Sequence, residues 1–355
     1  MWTLESGVFV TLYDKETLEI YLRNGIYGTL MPPVKERDLS RTRHFHTLGD
    51  YSCLRGGMHM FFFLKRDIVY GGRIKGSKRH GAFYLNGTHS PLGRIAQAPL
   101  VWDESNRRRY AATSIEGIFE VPSVGQRCQP YLVLFEGTGG LRGRRIRSDD
   151  LYFRLGSFPY PLPSNSIQGM SFCVLTPGET NILLELLRES EEIVDYDKHE
   201  EMELVAPPKP FHPKLGIADV REAFEAKEIL NEAHLESSVL ANPELLPDNM
   251  RPHEHALSRQ VPISPFKPFQ MDRADICYYS RSTPLGNGTL PNCIIELKIR
   301  QAGKRDVEQV ERYLDWLFCV SPKEAQQVSV FLYAPRFSNR AVTRKYKEQI
   351  DLVPF

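Results

Sequence analysis

The chain has 355 residues, 41% hydrophobic and 25% charged, and its formal net charge at pH 7 is +1. This balance is typical of a soluble globular protein, and because the sequence lacks a run of about 18 uncharged apolar residues, a membrane span is excluded. A length above about 250 residues favours two domains over one core.

Three further absences in the sequence limit the function. The first twenty residues carry acids where a signal peptide needs a basic segment, which predicts a cytoplasmic protein. The six cysteines lie far apart without a CxxC pair, which predicts reduced core thiols and no zinc site. The sequence has no GxxxxGK[ST] motif, so we expect no use of a nucleoside triphosphate.

Residues 1–187 predict a β-rich α+β domain with a curved sheet. Helical patterns occur at 15–25 and 179–188, and further strands are predicted at "GIFEVP" and "YLVLFEG". The segment 58–74, "MHMFFFLKRDIVYGGRI", reads as a hairpin whose glycine pair forms a bulge. This domain carries 23 Lys and Arg against 17 Asp and Glu, so the cationic surplus of the chain lies here.

The remaining sequence predicts a linker and a second domain. Residues 188–216 combine eight acids with several prolines, which is typical of a linker. Residues 217–355 then predict an α/β domain with a mixed sheet. Its first helix runs to Pro243, and "ADICYYS" and "CIIELKI" follow as strands. A helix at "DVEQVERYLDWLF", a strand at "VSVFLYAP" and a basic helix at "SNRAVTRKYKEQI" complete it.

The strand "CIIELKI" carries charge on one of its faces. Alternation places Glu296 and Lys298 on the same side as Ile294. A buried sheet face tolerates charged groups only when a partner satisfies them, and a divalent cation with bound water can do so. If the two predicted strands pair antiparallel, Asp275 of the first converges with Glu296 of the second.

An aspartate followed about twenty residues later by ExK on an apolar strand resembles the PD-(D/E)XK nuclease superfamily. Downstream, Gln309 and Tyr313 in "QVERY" are similar to the QxxxY motif of its RecB-like branch. Upstream, Glu232 in "NEAHLESSVLANPELL" resembles the helix glutamate of the NucS (EndoMS) type nucleases. The resemblance covers roughly residues 225–320. It departs from the pattern before Asp275, where Arg273-Ala274 replaces the usual proline.

The resemblance implies a Mg²⁺-dependent hydrolysis of phosphodiester bonds, with Mn²⁺ as a substitute. The implied metal ligands are Asp275, Glu296, the carbonyl of Leu297, and Glu232. Lys298 would orient the attacking water or steady the developing negative charge. Gln309 and Tyr313 would position the scissile phosphate and the lysine. Basic residues beyond the strand, which would hold the DNA backbone, are Arg300, Lys304 and Arg305.

Several of these residues keep a structural alternative. Glu296 and Lys298 could form a surface ion pair, and Tyr313 could be a core residue. Gln309 could serve only a capping box that begins at Asp306. The helix carboxylate could be Glu228 or Glu236 in place of Glu232, and Asp272 is a rival metal ligand.

The first domain more faintly resembles the PUA-like fold of EVE, YTH and ASCH modules, in the segment "GDYSCLRGGMHMFFFLKRDIVYGGRIKGS". Such domains can take a flipped, often modified base into an aromatic pocket. Candidate pocket residues are Tyr70, Phe83, Tyr84 and Trp102. Candidate phosphate contacts are Arg107, Arg108, Arg142, Arg144, Arg145 and Arg147.

A reading domain joined to a metal nuclease predicts a restriction-type DNA endonuclease that acts as a homodimer. The alternatives are a NucS-like mismatch or repair endonuclease, and a non-catalytic nucleic-acid-binding protein with a nuclease-like fold. The sequence does not separate DNA from RNA as the substrate.

Overall fold

The computed structural model describes residues 5–12, 14–29, 42–76, 82–85, 101–103, 108–110, 118–121, 125–128, 131–137, 140–155, 172–194, 217–252, 254–264 and 272–355. These residues form one large sheet in each half of the chain, with helices between the strands, so the predicted mixed α and β fold class is confirmed. No helix within these ranges is both long and apolar enough to cross a bilayer.

The N-terminal half contains twelve strands in its described residues. They are β1 (Gly7–Leu12), β2 (Ile26–Tyr27), β3 (His59–Leu64), β4 (Asp67–Ile74), β5 (Tyr84–Leu85), β6 (Val101–Asp103), β7 (Arg108–Tyr110), β8 (Ile118–Val121), β9 (Gly125–Cys128), β10 (Tyr131–Glu136), β11 (Arg145–Arg147) and β12 (Phe172–Leu175). The main sheet has the order β12-β1-β3-β4-β10-β2, with β11 on β4 and β5 on β10. Strands β6 and β7, and strands β8 and β9, pair separately. The helices are α1 (Lys15–Asn24), α2 (Thr42–Ser52), α3 (Ser148–Leu155) and α4 (Pro177–Glu189).

The hairpin predicted over 58–74 is confirmed, including its bulge. Strands β3 and β4 pair antiparallel, and their register shifts between Met60 and Phe61. At this shift Gly72 has φ +153°, and a Cβ there would collide with the carbonyl oxygen of Glu136. Only glycine therefore fits where β4 approaches β10.

A capping box begins helix α4. The Glu179 carboxylate accepts the backbone N–H of Thr176 at 2.5 Å, and the Thr176 hydroxyl accepts the N–H of Glu179 at 3.3 Å. Burial raises the pKa of Glu179 to about 7. The folded chain therefore holds a proton here that the unfolded chain has already released at neutral pH.

We expect Glu179 to make the protein less stable as the pH rises from 4.5, its ordinary pKa, to about 7. The folded state binds more protons in this interval, so stability is full below it and falls through it, by about 3 kcal/mol. Glu179→Gln keeps an acceptor for Thr176 and should remove this part of the pH dependence. Urea unfolding between pH 4 and pH 8 measures it, and an unchanged profile in the variant would contradict the assignment.

The C-terminal half forms a five-stranded sheet. Its strands are β13 (His255–Ser264), β14 (Asp272–Ser280), β15 (Cys293–Leu297), β16 (Ser329–Ala334) and β17 (Ile350–Pro354), in the order β13-β14-β15-β16-β17. The helices are α5 (Val220–Glu225), α6 (Glu232–Ala241), α7 (Lys304–Val320) and α8 (Pro322–Ala325). Strands β13, β14 and β15 are antiparallel, as predicted for β14 and β15, whereas β15, β16 and β17 are parallel.

Two expectations about the beginning of this half were wrong. The single helix predicted up to Pro243 is two helices, α5 and α6, because Lys227 adopts φ +60° after the first. The Asn231 side chain then accepts the N–H of His234 at 2.9 Å and begins the second. Strand β13 was not predicted at all. It lies at the edge of the sheet, where Pro262 is tolerated.

The basic helix predicted over residues 338–350 was also wrong. The backbone N–H groups of Arg344 and Lys345 donate to the Glu311 carboxylate of α7, at 2.7 and 2.8 Å. Tyr346 then adopts φ +53°, which no right-handed helix contains. Since α7 satisfies these amides, the segment crosses it without a helix of its own and enters β17.

The two halves share one hydrophobic core. Buried side chains of α6 and β14, such as Val239 and Tyr278, belong to the same cluster as Met60 and Phe62 of β3. Most of the predicted linker, residues 195–216, lies outside the described residues. The division into domains at 1–187, 188–216 and 217–355 therefore stays a prediction.

Candidate active site

Strands β14 and β15 bring two acidic side chains together. Ile276 pairs with Ile295, and one further step of this antiparallel register sets Asp275 across from Glu296. The ladder ends there, and the N–H of Leu297 donates to Oδ2 of Asp275 at 2.8 Å. The two acids therefore meet where the two strands separate.

Both acids and the lysine are buried. Glu296 is 2% exposed, Lys298 6% and Asp275 8%, so the alternative of a surface ion pair is wrong. Burial, and then the charge of Glu296, raises the pKa of Asp275 well above its ordinary value. Burial also raises the pKa of Glu296, although the Lys298 charge opposes it. The negative charge of the site is therefore only partly compensated by the protein.

Helix α7 supplies two further groups. The Gln309 amide donates to Oε1 of Glu296 at 3.0 Å, and the Tyr313 hydroxyl lies within donating distance of two acceptors, the Arg273 carbonyl at 2.8 Å and Oε2 of Glu296 at 3.0 Å. Gln309 also donates to the Tyr313 hydroxyl at 2.6 Å, one helical turn away. Helix α7 is capped at its start by Asp306, whose carboxylate accepts the backbone N–H of Gly303. Gln309 therefore does not cap this helix. Tyr313 is at once a core residue and a partner of the acid.

Helix α6 brings Glu232 to the same place. Its carboxylate lies 3.3 Å from the Lys298 ammonium and is partly exposed. Of the two alternatives, Glu228 lies before the helix and is exposed, whereas Glu236 is buried and paired with Arg259. Glu232 is therefore the carboxylate of the three that contacts the lysine.

Three of the four groups predicted to hold the metal contact the Lys298 ammonium in this structure, and Asp275 is the exception. The ammonium donates to Glu296 at 2.7 Å, to the Leu297 carbonyl at 3.0 Å and to Glu232 at 3.3 Å. Burial alone lowers the pKa of Lys298, but the charges of Glu296 and Asp275 outweigh it and raise this pKa. Hard oxygen donors of this kind fit Mg²⁺ or Mn²⁺. Across the described ranges, no three His, Cys, Asp or Glu side chains are already arranged to hold a metal ion.

The rival ligand Asp272 has a different role. Its carboxylate accepts both Nε and Nη2 of Arg312 from α7, at 2.9 and 2.7 Å. The pair joins the start of β14 to the helix that carries Gln309 and Tyr313. Asp272 therefore acts on the site indirectly, because its bond to Arg312 holds α7 against the start of β14.

The arginines of "RGRRIR" divide into two groups. Arg142 donates to the carbonyls of Leu22 and Arg23, and Arg144 donates to carbonyls at the C-terminus of α4, the shortest at 2.7 Å. Arg145 and Arg147 instead pair with acidic side chains, since they share the Asp67 carboxylate and Arg145 also pairs with Glu192 at 2.7 Å. They line a cleft of about 500 Å³ with an apolar floor. Other basic residues of this cleft, which the sequence did not suggest, are Lys15, Lys65 and Arg66.

We expect Arg145 and Arg147 to carry the salt dependence of any DNA binding by this half. Replacing both by glutamine should reduce the slope of log affinity against log salt by about 0.9 for each phosphate that is no longer neutralised. Fluorescence anisotropy with a labelled duplex, in EDTA, measures this slope. Arg221→Gln, at an exposed ion pair on α5, is the control. An unchanged slope in the double variant would show that neither arginine contacts a DNA phosphate.

The other residues predicted to contact nucleic acid lie near the start of α7 and around β7. Arg300 pairs with Asp306 at 2.6 Å, Lys304 pairs with Glu308 at 3.3 Å, and Arg305 is exposed on α7. These stay predictions. Arg107 lies outside the described residues, and Arg108 belongs to β7 without a described side chain.

The predicted aromatic pocket is not found where its described residues lie. Tyr70 is 1% exposed and its hydroxyl bonds to His59 at 2.9 Å. Phe83 is fully buried against Tyr51 and Tyr131. Both are core residues of separate clusters, because Tyr70 packs with Phe9 and Phe61, whereas Phe83 belongs to the cluster of Tyr51 and Tyr131. The side chains of the other two candidates, Tyr84 and Trp102, lie outside the described residues.

The chain has only distant similarity to the known proteins that were found. No protein-family model and no curated protein matches the chain. A repair endonuclease from Pyrococcus abyssi is similar over 93% of this chain and 99% of its own, with 12% identity and a TM-score of 0.23. An EndoMS–dsDNA complex is similar over 94% and 99%, with 11% identity and a TM-score of 0.21. TM-scores this low do not show a common fold.

Two residues beside the site were missed in the sequence. Arg259 and Gln260 of β13 contact Glu236, and Gln260 also contacts Asp275. The sequence "HALSRQVPIS" has no periodicity that marks this strand, because its centre is polar. Only the pairing with β14 indicates their role.

Proposed function

We propose that this chain is a metal-dependent DNA endonuclease with a PD-(D/E)XK-type centre in its C-terminal half. The observation that supports this most is the number of separate segments that meet at Glu296. Lys298, which directly follows β15, bonds to its carboxylate, as do Gln309 and Tyr313 of α7, and Glu232 of α6 joins through the lysine. Burying so many polar groups opposes folding, and such clusters are typical of functional sites.

The chain's own residues have separate roles in this proposal. Asp275, Glu296 and the Leu297 carbonyl would hold a divalent cation, with Glu232 beside them. When bound, the ion supplies an acidified water and a Lewis acid for a phosphate oxygen. Lys298 would hold the attacking water or the phosphate with an N–H group that in this structure bonds to Glu296, Leu297 or Glu232.

Two neighbours keep the acid in position. Gln309 and Tyr313 donate to different oxygens of Glu296 and so fix the plane of its carboxylate. The Tyr313 bond also opposes the rise that burial causes in the pKa of Glu296, because a donor bonded to an anion favours the charged form. Both residues would therefore act through Glu296.

The target would be selected by the N-terminal half. Its cleft beside Arg145 and Arg147 has the positive charge that DNA phosphates require. A restriction-type enzyme and a mismatch or repair enzyme share the same hydrolysis and differ in the DNA they recognise. Cleavage of both strands of a duplex needs two such centres, which favours a homodimer.

Digestion of a panel of duplexes by the purified chain tests the proposal. The panel contains methylated, hydroxymethylated, mismatched and unmodified DNA, with matched RNA, in Mg²⁺, Mn²⁺ or EDTA. We expect cleavage of DNA with either metal and none in EDTA. Cleavage limited to modified DNA indicates a restriction enzyme, and cleavage limited to mismatched DNA indicates a repair enzyme.

The same assay distinguishes the other candidates. A non-catalytic DNA-binding protein would bind DNA equally well in EDTA and leave it intact with Mn²⁺. A ribonuclease would cut only the RNA. Either result would overturn the proposal of a DNA endonuclease.

A further inference from the structure

The backbone of β13 is irregular beside the candidate site. Gln260 has φ +51°, a left-handed conformation that glutamine seldom adopts and that is strained within a strand. It lies between the pairs Arg259↔Ile276 and Val261↔Ala274, opposite Asp275. In a regular strand, consecutive side chains point to opposite faces. Here Arg259 and Gln260 both reach Glu236, as the irregular backbone allows.

The Gln260 amide joins two carboxylates. Its Nε2 donates to Oδ1 of Asp275 at 3.0 Å and to Oε1 of Glu236 at 3.2 Å, which uses both of its N–H groups. The reverse orientation of the amide would set its oxygen against two carboxyl groups, which accept hydrogen bonds when they are ionised. The other oxygen of Asp275 accepts the Leu297 N–H. Donors on β13 and β15 therefore fix both oxygens of Asp275.

The partner carboxylate is itself held from the N-terminal half. Arg259 donates to both oxygens of Glu236, at 3.0 and 2.6 Å, and also to Asp50 of α2 at 2.6 Å. Its Nη2 lies 2.8 Å from Nδ1 of His46, on the same helix. The Arg259 side chain is only 4% exposed, so this contact is a fixed part of the interface.

We infer that Gln260 is a positioning residue for Asp275, and that Arg259 and Glu236 fix its amide against α2. This inference rests on the proposed function. It adds that the geometry of a metal ligand is set by an edge strand, β13, which is anchored to the N-terminal half. Residues that orient metal ligands typically change metal affinity or activity by about 10- to 100-fold when they are replaced.

Two variants separate positioning from folding. Gln260→Gly removes the amide and relieves the left-handed backbone, because glycine adopts φ +51° without strain. Gln260→Met keeps a side chain of similar length without donors. The matched control is Gln349→Met, since Gln349 also donates to two acceptors, the carbonyls of Ala325 and Val328.

The measurements are the melting temperature, the affinity for Mn²⁺ and the single-turnover cleavage rate on saturating DNA. We expect Gln260→Gly to melt no lower than wild type, yet to bind Mn²⁺ and to cut DNA about 10- to 100-fold less well, with DNA affinity unchanged. Gln260→Met should show the same losses. Gln349→Met should melt lower with wild-type Mn²⁺ affinity.

The outcomes distinguish the two proposals. If wild type neither binds Mn²⁺ nor cuts DNA, the proposed function fails. If wild type does both and either folded Gln260 variant matches it in Mn²⁺ affinity and rate, the positioning role is overturned. A melting temperature that falls in both Gln260 variants, with Mn²⁺ affinity intact, would assign the residue to the fold alone.

Discussion

Glu296→Gln is expected to slow DNA cleavage by a factor on the order of 10³, the scale of losing one charge-stabilising group from an active site. The glutamine keeps the length of the side chain and one oxygen for Tyr313, but it removes the negative charge. Lys298→Met should lose activity to a similar extent. Glu296 would retain Gln309 and Tyr313 as donors in that variant, so the carboxylate stays partly satisfied.

Single-turnover kinetics with a labelled duplex measure this loss, and thermal melting shows that the variants fold. The matched control is Glu311→Gln, because Glu311 is another buried carboxylate of the same half that binds only backbone amides of Arg344 and Lys345. The control should cut at the wild-type rate. Robust cleavage by both Glu296→Gln and Lys298→Met would remove these residues from the chemistry.

Arg259→Met is expected to lower the free energy of unfolding by about 3–5 kcal/mol, the usual effect of leaving a buried charge without its partner. Glu236 and Asp50 would both lose their bonds to the guanidinium. Burial already raises the pKa of Asp50 to about 6, although Arg259 opposes this shift. The loss should therefore be largest above pH 6, where Asp50 is ionised in the folded wild-type chain.

Urea unfolding at pH 8 measures this effect. Arg221→Met, at an exposed ion pair with Glu225, should change stability by less than about 0.5 kcal/mol. Adding Glu236→Gln to Arg259→Met should recover part of the loss, because one of the unpaired charges is then absent. A loss in Arg259→Met no larger than that in Arg221→Met would show that the buried network does not hold the two halves together.

The central strand of the site could be predicted from the sequence because its signals are local. The alternation of Ile294 and Glu296 fixes one face of β15, which Lys298 directly follows, and the spacing of Gln309 and Tyr313 fixes one face of α7. Each pattern depends only on the geometry of its own element. The antiparallel pairing of β14 with β15 was predicted from the turn residues "TPLGNGTLPN" between the two strands.

The parts that could not be predicted depend on contacts between distant segments. The basic pattern before Ile350 favours a helix, but Glu311 takes up the amides of Arg344 and Lys345. Gln260 lies in a strand without alternation, and its role arises from Glu236 and Asp275, which stand on other elements. Neither contact can be predicted from the residues next to it in the sequence.

The same reason applies to the arginines of the N-terminal half. Four arginines in six residues suggest a charged loop, yet Arg142 and Arg144 donate to backbone carbonyls of other elements. The sequence shows the charge of a side chain but not the carbonyls around it. Tyr70 and Phe83 are a similar case, since an aromatic residue of a sheet can line a pocket or fill the core.

Binding of Mn²⁺ to the purified full chain, followed by electron paramagnetic resonance of the free ion without DNA, tests the central claim most directly. That claim is that Asp275 and Glu296 share one hard cation. The account predicts a saturable site in wild type and in Glu311→Gln, and a much weaker one in both Asp275→Asn and Glu296→Gln. A wild-type chain that binds no Mn²⁺, or equal affinity in all four proteins, would contradict it.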